Sequence, residues 1–196
     1  MPEIHAIPTR YKGVQYRSRL EARWAAWFDL IGWHVEYEPV DFNGWIPDFA
    51  ILEAELVYVE IKPTHLFPAE AAIKIDRADC YEDVLILGNT LDIIPIDSAS
   101  RDINLFGWLG EWIDTSETLD TRSWGEAAIG VWESQNRPGF CHSSQSYRDR
   151  ITGGYDGGCW GDDCASNDIA AQVIREYWRH AGNLVQWFPQ GGVTHA

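Results

Sequence analysis

Apolar residues fall at Leu20, Trp24, Trp27, Phe28 and Ile31, spaced i, i+4, i+7, i+8 and i+11. That spacing is one face of a helix, and it predicts an amphipathic helix over 18–31. Ser18 followed three residues later by Glu21 is a capping-box pattern at its start. Gly32 supplies the stop. The period then changes to two. Trp33, Val35 and Tyr37 alternate with His34, Glu36 and Glu38, as in a strand with one buried face, and Pro39 ends it. Two more strands are predicted, Asp48 to Leu52 and Val57 to Lys62. The linker Glu53-Ala54-Glu55-Leu56 is short enough to make them a hairpin.

Pro68 to about Cys80 reads as a helix with Pro68 in its first turn. Val84 to Leu87 is a fully apolar run, as expected of a buried central strand, and Leu91 to Ile96 suggests another. Strand 57–62, helix 68–80 and strand 84–87 form a βαβ pattern. The fold class expected is α/β, a mixed sheet flanked by helices over residues 1–97. Beyond residue 98 the periodicity weakens and Gly, Ser, Asp and Trp dominate. Residues 98–196 are therefore read as a loop-rich region, ending in a helix from Asp168 to about His180 that Asn167 or Asp168 caps.

Composition refines this picture. Hydrophobic residues make up 45% of the 196, enough for a core, which excludes global disorder. Eleven tryptophans imply a dense aromatic core, or an aromatic C-terminal surface that meets a protein partner. The net charge of −15 argues against a generic salt-driven coat for nucleic acid. A local basic stretch nevertheless exists: Arg10, Lys12, Arg17, Arg19 and Arg23 face only Glu3 and Glu21. It is either a solvated arm or a phosphate-contact surface for DNA. No apolar run reaches the roughly 18 residues of a membrane span, and the N-terminus lacks a signal pattern. The expectation is a soluble cytoplasmic protein, whose cysteines are thiols or metal ligands.

Metal-assisted phosphodiester hydrolysis needs carboxylates around a hard cation and a positive group near the phosphate. Glu60 and Lys62 lie two apart on one predicted strand, so they share a face, while Val57, Val59 and Ile61 turn to the core. The hairpin brings Asp48, directly after Pro47, toward Glu60. Ile46-Pro47-Asp48-Phe49 followed by Val59-Glu60-Ile61-Lys62-Pro63 resembles the signature of PD-(D/E)XK nucleases. Glu21 on the first helix matches an acidic position common in that superfamily. Tyr37-Glu38-Pro39 also resembles phage-encoded nuclease-like proteins and TnsA-like transposon endonucleases. The resemblance covers roughly residues 10–95. It implies a restriction-endonuclease-like core and a Mg²⁺- or Mn²⁺-dependent endodeoxyribonuclease associated with a phage, hence a bacterial host cell, or with another mobile element. It implies that Asp48, Glu60, the Ile61 carbonyl and Glu21 serve the metal, and that Lys62 orients water or stabilises charge on the phosphate. Arg10, Lys12, Arg17 and Arg19 would contact DNA.

Two other readings stand beside it. One is a catalytically silent nuclease fold used for binding or assembly, and the other is a TnsA-like subunit that cuts only within a complex. Glu21 has the simpler role of closing its capping box, Asp48 that of a turn residue, and Glu60 with Lys62 that of a solvated pair. Cys141, His142, Cys159 and Cys164, with His180 in reserve, form an irregular candidate for structural Zn²⁺. The alternative is a set of partly buried thiols.

Overall fold

The computed structural model describes residues 6–91, 104–113, 121–132, 137–142, 148–154, 164–165 and 168–186. A hairpin comes first, β1 (Thr9–Tyr11) and β2 (Val14–Tyr16), turning through Lys12 and Gly13 at positive φ. Helix α1 (Arg19–Ile31) follows, with the predicted caps. Ser18 is extended and its hydroxyl accepts the Glu21 N–H at 3.1 Å, while Gly32 adopts the left-handed conformation. The Trp33 N–H then reaches back to the Phe28 carbonyl, closing the last turn.

Strands β3 (Val35–Tyr37), β4 (Phe49–Leu52) and β5 (Leu56–Ile61) are antiparallel neighbours. Helix α2 (Ala69–Asp76) crosses over to β6 (Asp83–Leu87), which runs parallel to β5. The predicted βαβ unit is therefore present, but its helix is shorter than the expected 68–80. Pro68 is the N-cap residue, not part of the first turn, and the helix ends at Asp76. A buried arginine holds the segment that follows. Arg122 donates to the carbonyls of Cys80 (2.8 Å), Glu82 (2.6 Å) and Gly110 (3.1 Å), which takes residues 80–82 out of helical bonding and onto the sheet.

The expected loop-rich region after residue 98 is corrected by three long strands: β7 (Asn104–Ile113), β8 (Thr121–Trp132) and β9 (Arg137–His142). They extend the same sheet, whose order is β10-β8-β7-β6-β5-β4-β3, with β9 also paired to β8 and β10 being Cys164–Ala165. Glycine concealed these strands from periodicity. Gly110 lies under the Trp124 ring and Gly125 under the His142 ring, so a neighbour's side chain fills each face position that glycine leaves empty. The result is one large mixed sheet flanked by helices, with strands from both sides of residue 97. Of the expected strand 91–96, residues 92–96 lie outside the described residues, as does Asn167.

Each face of the sheet has its own core. On one face Val57, Val59, Ile61, Leu85 and Leu87 pack against α1 and against α3 (Asp168–Leu184). On the other, Val84 and Ile86 pack under α2 with Trp45, Ala72 and Ile75. Buried indoles keep acceptors: Trp24 donates to the Gly88 carbonyl (2.9 Å), Trp27 to that of Ile174 (3.3 Å) and Trp33 to that of Pro138 (3.0 Å). Arg23 stacks its guanidinium 3.8 Å above the Trp178 ring, tying α1 to α3.

Candidate functional site

Asp48 directly precedes β4, and Glu60 lies on β5, its antiparallel neighbour. The register that pairs Phe49 with Val59 sets Asp48 opposite Glu60 when continued by one residue. The central position of β5 buries Glu60 to 7% exposure, and Asp48 is at 5%. Each carboxylate is held at both oxygens. Asp48 accepts from the Ile61 N–H at 2.6 Å and from the Arg17 guanidinium at 2.5 Å. Glu60 accepts from the Trp45 indole at 2.9 Å and from the Lys62 ammonium at 2.5 Å.

Glu21 reaches the edge of this group from α1. Its carboxylate accepts from the Tyr37 hydroxyl at 2.7 Å and from the Arg17 N–H at 3.2 Å. The capping box is thus completed in altered form: Ser18 caps Glu21 as expected, while Glu21 bonds the N–H of Arg17 instead of that of Ser18. Glu38 joins through its own ion pair with Arg17 at 3.0 Å. Glu38 holds φ 47°, a left-handed conformation uncommon for a non-glycine residue, and its N–H donates to the Asp48 carbonyl at 3.0 Å.

Four carboxylates therefore surround two cations, Arg17 and Lys62. Burial first, and then the neighbouring charge of Glu60, push the Asp48 carboxyl up to about 7, against the lowering pull of the Ile61 N–H and Arg17. Burial works against the charge on Arg17 as well, but Asp48, Glu21 and Glu38 outweigh it and hold the guanidinium above its ordinary value. Burial and the bond to Glu21 push the Tyr37 hydroxyl up to about 12. Among the described residues no three His, Cys, Asp or Glu groups converge as ligands of one ion. The donors available at the sheet are the Asp48–Glu60 pair, a set of hard oxygens suited to Mg²⁺ or Mn²⁺.

The basic stretch divides. Arg17 turns into the carboxylates and Lys12 forms an ion pair with Asp29, while Arg10 and Arg19 are exposed to solvent. Sequence reasoning missed the partners Trp45, Tyr37 and Glu38. Only Tyr37-Glu38-Pro39 carried a local signal, and nothing near Trp45 marked it as the donor to Glu60.

The zinc candidate does not assemble among the described residues. Cys141 and His142 are consecutive on β9, so a regular strand turns their side chains to opposite faces. Both are buried. Cys159 lies outside the described residues, Cys164 pairs by backbone with Trp132 at the sheet edge, and His180 is exposed on α3.

No helix among the described residues is long and apolar enough to cross a membrane. Compared with family models, curated proteins and solved structures, the chain matches none.

Proposed function

We propose that the chain is a metal-dependent endodeoxyribonuclease of the PD-(D/E)XK type, built on a restriction-endonuclease-like core. The observation that carries this reading is the pair of buried, mutually repelling carboxylates Asp48 and Glu60, facing each other across two strands with Lys62 beside them. Two such groups are costly to bury together, and a divalent cation offsets that cost. Asp48, Glu60 and the Ile61 carbonyl would hold it, with Glu21 behind them. When bound there, Mg²⁺ or Mn²⁺ polarises the phosphodiester and lowers the pKa of water.

The chain's own side chains supply the rest. Lys62 is half-buried and Arg17 is 55% exposed, so both can turn from carboxylate to phosphate oxygen. There they stabilise the negative charge that develops on the phosphoryl oxygens. Arg10 and Arg19 add DNA backbone contacts at the rim. The test is incubation of supercoiled plasmid and single-stranded circles with Mg²⁺ or Mn²⁺. Wild type is expected to cut, chelator to stop it, and Asp48→Asn or Glu60→Gln to slow it at least about 100-fold. Undiminished cutting by folded Asp48→Asn, or none by wild type on either substrate, would reject the assignment.

One observation favours a second reading. Arg17 and Lys62 already neutralise the two carboxylates in full hydrogen-bond contact. A fold retained for binding or assembly, or a TnsA-like subunit that cuts only in a complex, has no need of metal when alone. Its signature is a melting temperature that millimolar Mg²⁺ or Mn²⁺ leaves unchanged. The nuclease reading predicts a rise in wild type and much less in Asp48→Asn.

A further inference from the structure

The segment leaving Lys62 builds a second feature. Residues Pro63 to Phe67 form a tight loop: the Thr64 N–H donates to the Lys62 carbonyl at 2.7 Å, and the Asn89 N–H donates to the Thr64 carbonyl at 3.2 Å. The loop is pressed onto the end of β6, where a methyl group at Gly88 would overlap the Thr64 carbonyl. Opposite, β7 shifts register between Leu105 and Gly107, a bulge of the kind that re-aims side chains beside a site. Gly107 lies so close to the Ile86 carbonyl that a methyl there would overlap it too.

Loop and bulge border a half-open cavity of about 150 Å³, whose lining includes Thr64, His65, Thr90, Trp108 and the exposed Glu126. Trp108 and Glu126 are register partners on β7 and β8, so their side chains share a face. Phe106 and Trp108 give the lining its aromatic rings, and Trp108 is backed by the Phe67 ring at 6.0 Å. The volume is below the roughly 300 Å³ at which pockets take drug-sized ligands, so it suits one heterocycle and not a whole nucleotide. An aromatic wall with a few placed polar groups is the chemistry by which proteins hold an unstacked base.

A carboxylate only accepts hydrogen bonds, so Glu126 selects a donor edge. Guanine offers two parallel donors, N1–H and the exocyclic amine. Adenine and cytosine set one amine beside an acceptor, and thymine flanks its single N–H with two carbonyls. Thr64 is two residues from Lys62, at most roughly 7 Å along the backbone. We infer that this cavity holds the base of the nucleotide next to the phosphate at Lys62, with guanine as its preferred occupant. The substrate strand is then single-stranded or has that base flipped out, because a stacked base cannot enter. The inference rests on Asp48, Glu60 and Lys62 being the phosphodiester site, but its test does not.

Full-length protein in chelator is titrated calorimetrically with dGMP, dAMP, dCMP and dTMP. The expected result is tightest binding of dGMP, by at least about 5-fold over each of the others. Glu126→Gln should abolish that preference, and Trp108→Ala should weaken all four. Thermal melts accompany each variant, and Trp108→Phe, which keeps a ring, should retain binding if the alanine variant unfolds. Equal affinities, no binding of any nucleotide, or an intact preference in Glu126→Gln would overturn the assignment. A protein that cuts DNA without discriminating among the nucleotides loses only the base cavity. One that never cuts but prefers dGMP through Glu126 loses only the nuclease reading.

Discussion

Asp48 shows how far one residue's surroundings change its chemistry. Burial and Glu60 push its carboxyl up to about 7, well above the ordinary carboxylate range. Between about pH 4 and 7 the folded chain then keeps a proton that the unfolded chain has lost, so stability from this group falls as pH rises through that window. The slope it contributes is at most about 1.4 kcal/mol per pH unit. Asp48→Asn has no proton to lose, and its amide oxygen can still accept from Ile61. Denaturant melts of metal-free wild type and Asp48→Asn from pH 4 to 8 should diverge, the variant gaining relative stability as pH rises. Parallel curves would show that Asp48 ionises without strain. Arg17 makes the complementary point. Its position in a basic stretch suggests a solvent-facing phosphate contact, yet it is turned onto Asp48, Glu38 and Glu21.

At the scale of elements, strand glycines are matched by side chains from neighbouring segments. Gly110 against Trp124, Gly125 against His142 and Gly139 against Asp149 each leave room that the neighbour fills. Gly107, like Gly88, is tightly constrained, because what it meets is a backbone carbonyl, that of Ile86, which cannot swing aside. Gly107→Ala should cost about 1–3 kcal/mol in a denaturant melt by forcing β7 off β6. An unchanged midpoint would mean that the two strands tolerate separation there. Helix α1 offers a milder contrast: Ser18→Ala removes one cap bond and should cost about 1 kcal/mol.

At the scale of the whole molecule, the sheet joins strands from both halves of the chain. The four residues of β6 from Val84 to Leu87 are buried on both faces, and β7 covers the edge of that strand. A fragment ending at residue 97 would expose that edge, and it should fail to give a cooperative melt by circular dichroism. Arg150 makes the same connection with charge. It is 4% exposed and bonds Asp83 on β6 at 2.7 Å and Glu111 on β7, while the Arg150 N–H reaches Phe140 on β9. Arg150→Ala would leave the buried Glu111 and the partly exposed Asp83 without that partner and should cost about 3 kcal/mol. A loss under 1 kcal/mol would show that water or other groups take over.

Local order along the chain determined a good deal of this protein. The apolar face and both caps of α1, the β4–β5 hairpin and the β5–α2–β6 crossover all follow from period, punctuation and short linkers, because each is stabilised by residues close together in sequence. Bringing Asp48 toward Glu60 across the hairpin needed no more than that, although β4 begins one residue after Asp48 and β5 ends one residue before Lys62. The tertiary structure alone decided that β7, β8 and β9 extend the sheet, since their faces are filled by rings from other strands and glycine carries no apolar signal of its own. It also decided that Trp45 serves Glu60, that Arg17 turns onto the carboxylates, that α2 stops at Asp76, and that a bulge and a loop border a cavity. These depend on contacts between residues well separated in sequence, where the packing of neighbouring strands chooses the partner and periodicity leaves no trace.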